Sequence, residues 1–199
     1  MKVVLADYGA GNLRSVCSAL ERAGGEPVVT RAPDEVREAP LAVIAGVGNV
    51  TSASRSLEES GLAEALRERA AGSRPLLGIC VGMQLLFEES DEGGTGLGIL
   101  RGPVRRLRAR RVPHMGWNEL IPCGPSLVLA GLEHADVYFA HSYACEPAEP
   151  VTVAETEHDG PLVAAVERGP LAGVQFHPER SGAAGARLLA NVLAWSRSA

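Results

Sequence analysis

The sequence predicts an α/β fold, a single domain over residues 1-199. A mostly parallel central sheet should carry helices on both faces, with mixed or antiparallel strands in the C-terminal half. Through the first hundred residues, short apolar β-rich runs alternate with helix-period patterns, the signature of parallel strands joined by crossover helices. From about Gly98 that alternation gives way to closely spaced β-like pieces. A chain of 199 residues that is 46% hydrophobic also has enough apolar side chains for one full core.

In order along the chain, Val3-Val4-Leu5-Ala6 reads as the first strand. Leu13, Val16, Cys17 and Leu20 then recur at helical spacing, and Gly24-Gly25 ends that helix before a strand at Val28-Val29. Leu41 to Ala45 forms the third strand. Helical stretches through Leu57, Leu62, Ala65 and Leu66 lead to the fourth strand, Pro75 to Ile79, and a helix opened by Cys80 and carrying Leu85, Leu86 and Phe87. Asp91 to Gly96 reads as a mobile surface loop. The later β-like pieces lie around Val104, Val112, Tyr138 to Ala140, Val151 to Ala154, Leu162 to Val166 and Val174 to Phe176. A last helix runs through Leu188, Leu189, Val192 and Leu193.

A net charge of −5 gives no general attraction to nucleic acid or to anionic lipid, so a DNA-binding protein is not expected. The cysteines at 17, 80, 123 and 145 form no CxxC pair or zinc-type spacing, which fits a reducing cytoplasm. Met1 to Leu5 runs straight into Asp7 without a signal-type apolar core, and no apolar run approaches membrane-spanning length. A soluble, cytoplasmic chain is expected.

Ligands of open α/β sheets gather beyond the carboxyl ends of the strands. Three glycine-rich turns follow strands there: Asp7 to Asn12, Gly46-Val47-Gly48, and Gly78 to Gly82 around Cys80. The first lacks both the GxGxxG spacing and a Walker lysine, so no nucleotide is expected. In the third, glycines two residues before and after Cys80 suit a sharp strand-to-helix corner that lifts a nucleophile out of the chain, with the start of a helix favouring thiolate. Taken alone, Cys80 reads first as a small buried apolar side chain, as most free cysteines are. His177-Pro178-Glu179 reverses that order. Proline pushes the preceding residue into the extended region, so His177 and Glu179 should lie two apart on extended chain, facing one way. A carboxylate beside an imidazole is the base arrangement that a cysteine nucleophile requires. Gly46, Val47 and Gly48, with the amide of Val81, are candidates for an oxyanion site.

Gly78-Ile79-Cys80-Val81-Gly82-Met83-Gln84-Leu85-Leu86-Phe87 and His177-Pro178-Glu179-Arg180-Ser181-Gly182 resemble the class I (triad) glutamine amidotransferases. Asp7 to Asn12, Val112 to Asn118 and Tyr138 to Tyr143 are similar to the branch of that family that serves as glutaminase subunits in histidine biosynthesis. The resemblance implies that Cys80 attacks the side-chain carboxamide of glutamine, that His177 relays the proton to departing ammonia, and that water hydrolyses the thioester. It implies no cofactor and no metal. It further implies that Gln84, Ser142 and Tyr143 hold glutamine and that Gly48 and Val81 supply the oxyanion amides. The partner would be a cyclase subunit, a (β/α)8 barrel, in a heterodimer, with Asn12, Trp117 and Arg180 near the interface.

Two residues depart from the family pattern: Ala45 stands where proline is usual, and Arg180 where lysine is usual. Alanine leaves the end of the third strand less restricted, which should shift the balance between resting and active loop conformations. The arginines between 101 and 111 read as a solvated, salt-bridged β-edge. His114 and His141 read as structural hydrogen-bonders, His134 and His158 as surface residues. Two other classes share these features: a catalytically silent binding or regulatory protein on the same scaffold, and a cysteine-dependent stress protein of similar topology. Intact Cys80, His177 and Glu179 favour the enzyme. Glutaminases of pyridoxal phosphate synthesis share the triad but not Met115-Gly116-Trp117-Asn118.

Overall fold

The computed structural model describes residues 1–198. Its first half is built from β1 (Lys2–Ala6), α1 (Leu13–Arg22), β2 (Glu26–Thr30), α2 (Pro33–Glu38), β3 (Leu41–Gly46), α3 (Val50–Glu59), α4 (Leu62–Ala71), β4 (Leu76–Cys80) and the single turn α5 (Val81–Gln84). The second half holds β5 (Glu89–Ser90), β6 (Pro103–Arg106), β7 (His114–Glu119), β8 (Ile121–Pro122), β9 (Asp136–His141), β10 (Tyr143–Cys145), β11 (Thr152–Glu157), β12 (Pro161–Arg168) and β13 (Leu171–Val174). A 3-10 turn at Pro178–Arg180 and α6 (Gly182–Trp195) complete it.

The central sheet runs β2-β1-β3-β4-β13-β12-β11-β8. From β2 to β13 neighbours are parallel, and from β13 to β8 they are antiparallel. All of β3 and β4 is buried, as continuous apolar runs in the middle of a two-faced sheet require. Val28 and Val29, on the edge strand, stay exposed. The chain moves outward from β1 to β2 and back across to β3, and right-handed crossovers therefore set α1 and α2 on opposite faces. Accordingly α1 packs with α6, and α2 with α4.

Four sequence expectations are corrected. The helix after Cys80 ends at Gln84, and Leu85, Leu86 and Phe87 are buried in irregular chain. One turn carries little macrodipole, so the sulfur gains less from it than a full helix would give. Glu179 lies in the 3-10 turn and not on extended chain. The loop from Asp91 to Gly96 is docked: Glu92 Oε2 accepts the Val50 N–H at 2.7 Å and Ser54 Oγ donates to Thr95 O at 2.5 Å. Finally, β6 is interior to a small sheet ordered β10-β6-β5, so its arginines do not guard an edge. They are nonetheless paired: Arg105 bridges to Glu89 and Asp91 at 3.0 and 2.7 Å, and Arg110 to Asp159 at 2.7 Å.

Candidate active site

Sterics at the end of β4 make the corner. Cys80 has φ +54° and ψ −111°, a conformation disfavoured for any side chain beyond hydrogen and held only because its surroundings leave no alternative. Cβ atoms at the flanking glycines would strike backbone: 2.7 Å from Gly82 O at Gly78, and 1.9 Å from Ile44 O at Gly82. The elbow is thus wedged against β3, whose last residue, Gly46, is paired in register with Cys80.

The sulfur opens into a cavity of about 340 Å³ lined by, among others, Val47, Gly48, Val81, Gln84, Glu92 and His177. Ser142, Tyr143, Met115 and Arg180 also reach it. A second hollow of about 260 Å³, between Leu120, Leu129 and Val153, has neither cysteine nor histidine in its wall. Cys80 and His177 meet in the first, so the nucleophile chemistry belongs there.

His177 is fixed by its N–H on Tyr138 O at 2.8 Å and by Ser181, whose hydroxyl donates to His177 O at 2.7 Å and accepts from Tyr138 N at 3.0 Å. His177 Nδ1 lies 2.9 Å from Glu179 Oε1, with both side chains buried. A carboxylate only accepts, so the proton on this side belongs to Nδ1, and Nε2 is left for the sulfur. Glu179 Oε2 is buried with no hydrogen-bond partner among the described residues. A half-satisfied buried carboxylate favours positive charge on the adjoining ring. Burial alone would lower the His177 pKa, but hydrogen bonding and charge from Cys80 and Glu179 outweigh it and push the imidazole up to about 10. At neutral pH this favours the charged form of the ring beside the sulfur.

The remaining candidates are distributed as follows. Val47, Gly48 and Val81 reach the cavity, whereas Gly46 lies behind it: a Cβ there would stand 2.2 Å from Tyr8 Oη. Tyr8, buried, donates to Ala45 O at 3.1 Å and so props the end of β3. Both N–H donors of Gln84 are already engaged, with Tyr143 O and Gln175 Oε1 at 3.0 Å each, leaving only its oxygen free for a ligand. Asn12 is exposed and caps α1 through Ser15 N at 3.4 Å, away from the cavity wall. Arg180 stacks its guanidinium over the Tyr138 ring at 4.5 Å, and Trp117 meets that ring edge-on at 6.2 Å.

A family model, glutamine amidotransferase class-I, matches residues 4–194. The chain belongs to the class-I glutamine amidotransferases. Among curated relatives of this amidotransferase, the imidazole glycerol phosphate synthase subunit HisH of Geobacillus kaustophilus is 46% identical, covering 94% of this chain and 93% of the relative. The subunit of the same name from Rhodospirillum rubrum is 48% identical, covering 98% of this chain and 100% of the relative. A solved glutamine amidotransferase superposes with TM-score 0.78 at 23% identity, covering 98% of each chain. PurLQS of Thermotoga maritima gives 0.78 at 20% identity, with the same coverage. At those identities the structural likeness is one of fold.

Three residues of the candidate site are not singled out by the sequence. Glu92 brings a carboxylate to the cavity, Ser181 clamps the His177 backbone, and Gln175 places Nε2 3.6 Å from Cys80 Sγ. Only Gln175 left a local signal, standing two residues before His177 at the end of a β-like run, the spacing of side chains that share a face.

Beneath Tyr143 runs a chain of histidines. His141 Nδ1 is 2.8 Å from Tyr143 O, His114 Nδ1 is 2.9 Å from His141 Nε2, and Asn118 Nδ2 is 3.1 Å from His114 Nε2. Since a carbonyl only accepts, every donor in the chain points toward Tyr143 when both rings are neutral. His158 is half-buried, not a free surface residue, and stacks on His114 at 4.3 Å. Burial lowers both His114 and His141 to about 4. An unfolded histidine takes up its proton near pH 6.5 while these two resist to about 4, so their contribution is complete above 6.5 and lost as pH falls toward 4. The thermal midpoint should drop by several degrees between pH 7 and 4.5, and less steeply in His114→Leu. Calorimetry across that range checks this, and parallel curves for parent and variant would refute it.

Proposed function

We propose that this chain is the glutaminase subunit of an imidazole glycerol phosphate synthase in histidine biosynthesis. It hydrolyses glutamine to glutamate and ammonia and passes the ammonia to a cyclase subunit. The observation that carries the chemistry is the strained Cys80 elbow facing a cavity shared with a charged His177 that Glu179 holds by Nδ1. End-to-end identity to relatives of that name supports the pathway.

In the first half-reaction the Cys80 thiolate forms a bond to the glutamine side-chain carbon. The displaced electron pair passes through the carbonyl oxygen, which Val47, Gly48 and Val81 surround, and the carbon–nitrogen bond then breaks as His177 Nε2 donates its proton to the leaving amine. Ammonia leaves and a γ-glutamyl thioester remains. In the second, neutral His177 takes a proton from water while the water oxygen attacks the thioester, the carbon–sulfur bond breaks to restore thiolate and imidazolium, and the new γ-carboxylic acid gives its remaining proton to solvent as glutamate is released. Glu92, the carboxylate of the wall, suits the ammonium group of the substrate. The Gln84 oxygen and the Ser142-Tyr143 backbone provide further polar contacts.

Ammonia that escapes into water is protonated and lost as a nucleophile, so the product must move directly into a partner. An apolar surface fits that demand: Val47 and Met115, 46% and 64% exposed, line the cavity, and Trp117, 58% exposed, lies beside it against Tyr138, the ring under Arg180. Arg180 and Trp117 converge on Tyr138, and Asn12 caps α1, the helix that packs on the Pro178–Arg180 turn. A cyclase subunit with a (β/α)8 barrel, docked on this surface as a heterodimer, would turn the ammonia and a phosphoribulosyl aminoimidazole intermediate into imidazole glycerol phosphate and an aminoimidazole carboxamide ribotide. No described helix is long and apolar enough to cross a membrane, and a cytoplasmic location goes with this pathway. Incubation with glutamine, with and without the cyclase subunit, tests the reading. Glutamate release that rises with the partner is expected; none in either tube would sink it.

A further inference from the structure

Gln175 has no role in the mechanism so far, yet it is wholly buried and touches the nucleophile. Beyond β13 the chain stays pinned, Gln175 N on Ala164 O and His177 N on Tyr138 O, each at 2.8 Å. Through the bend after β13, Gln175 and His177 both reach Cys80, while Phe176 turns away to pack on Phe139 at 5.9 Å.

The orientation of the carboxamide follows from its neighbours. Tyr143 O can only accept, so the Gln84 atom facing it is Nε2; the second hydrogen of that nitrogen goes to Gln175, whose facing atom is therefore oxygen. The NH2 group of Gln175 is left pointing at Cys80 Sγ, 3.6 Å away. A neutral thiol is a poor acceptor, and a buried donor opposite one is nearly unsatisfied. Opposite a thiolate the same contact becomes charge-assisted. Unlike His177, the carboxamide exchanges no proton, so it can serve the sulfur whether the imidazole is charged or neutral.

Resting on the glutaminase reading above, we propose that Gln175 is a further catalytic residue: its amide N–H holds the negative charge of Cys80 Sγ. It does so in the resting thiolate and again when water attacks the thioester and the electron pair of the breaking carbon–sulfur bond returns to sulfur. Gln84 is the positioning residue that aims it, and this occupies both of the Gln84 donors.

Two variants test the proposal. Gln175→Met removes the donor; Gln175→Glu keeps the shape and the acceptor for Gln84 but turns a carboxylate oxygen toward sulfur, and it carries the test should the first fail to fold. Iodoacetamide alkylation of Cys80 in the full chain, followed by peptide mass mapping so that Cys123 does not interfere, is measured against pH. The half-maximal pH should rise by about one unit in Gln175→Met, as expected for a lost hydrogen bond to a charged group, and further in Gln175→Glu. With glutamine and the cyclase subunit, kcat should fall about tenfold or more at near-constant KM. Gln84→Leu should give a smaller shift of the same sign. Alkylation profiles that superpose on the parent, or a loss confined to KM, would overturn the proposal. A parent chain that releases no glutamate overturns the glutaminase reading instead, and the two failures are separately visible.

Discussion

Cys80→Ala is expected to lower glutamate release by about 10⁴-fold or more, the scale on which removal of a triad nucleophile acts, while the fold survives. Alanine also carries a Cβ, so the strained corner at φ +54° is no worse in the variant than in the parent. What disappears is the sulfur, together with one partner of His177 and one of Gln175. The unpaired Gln175 donor costs about 1 kcal/mol, equivalent to a fall of about 2–4 °C in thermal midpoint. Serine is not a rescue, because a hydroxyl gives up its proton far less readily than a thiol and the His177–Glu179 pair is tuned to stand beside an anion. Coupled assay of glutamate and thermal melts on the same preparations check both halves. Residual activity above about 1% of the parent, well beyond what binding alone supplies, would place the nucleophile elsewhere.

The elements that the sequence reveals here are those fixed by short-range sterics or by burial on both faces. Gly78 and Gly82 declare the elbow because a side chain at either would meet backbone within five residues or on the adjoining strand. The uninterrupted apolar runs of β3 and β4 declare a parallel interior. Where the sequence misleads, a non-local partner decides. Leu85, Leu86 and Phe87 form an apolar run that fits a buried helix as well as buried irregular chain, and only the returning amides of Leu97, Gly98, Ile99 and Leu100, which take their carbonyls, settle it. β6 resembles an edge because its partners β5 and β10 are two and three residues long. Glu179 reaches His177 from a 3-10 turn, a geometry that the period of an extended chain does not describe. Gln84 looks like a substrate ligand until its two donors are accounted for, and Gln175 looks like an ordinary strand residue until Gln84 fixes which end of it faces sulfur.

Gly82→Ala should be among the most damaging single methyls in the fold, lowering stability by more than the ~1–3 kcal/mol of ordinary overpacking and the thermal midpoint by ~10 °C or more. The reason is contact and not conformation: Gly82 has no positive φ, and a helical alanine would suit its backbone. Its Cβ, however, would lie 1.9 Å from Ile44 O and 2.7 Å from Ile44 C. A flexible side chain could swing aside, but Ile44 is backbone in the middle of β3, which is hydrogen-bonded to β1 on one side and to β4 on the other. Relief therefore requires the elbow to lift away from the sheet or β3 to slide, and either motion separates Gly46 from Cys80 in the register that puts the candidate oxyanion turn beside the sulfur. Activity should accordingly fall even at temperatures where the variant remains folded. Gly98→Ala is the control: its φ is +64° and nothing lies within 4 Å of the added carbon, so only backbone strain of about 1 kcal/mol applies. If both variants melt together, within about 3 °C of the parent, the close approach of elbow and strand is not what holds Cys80 in place.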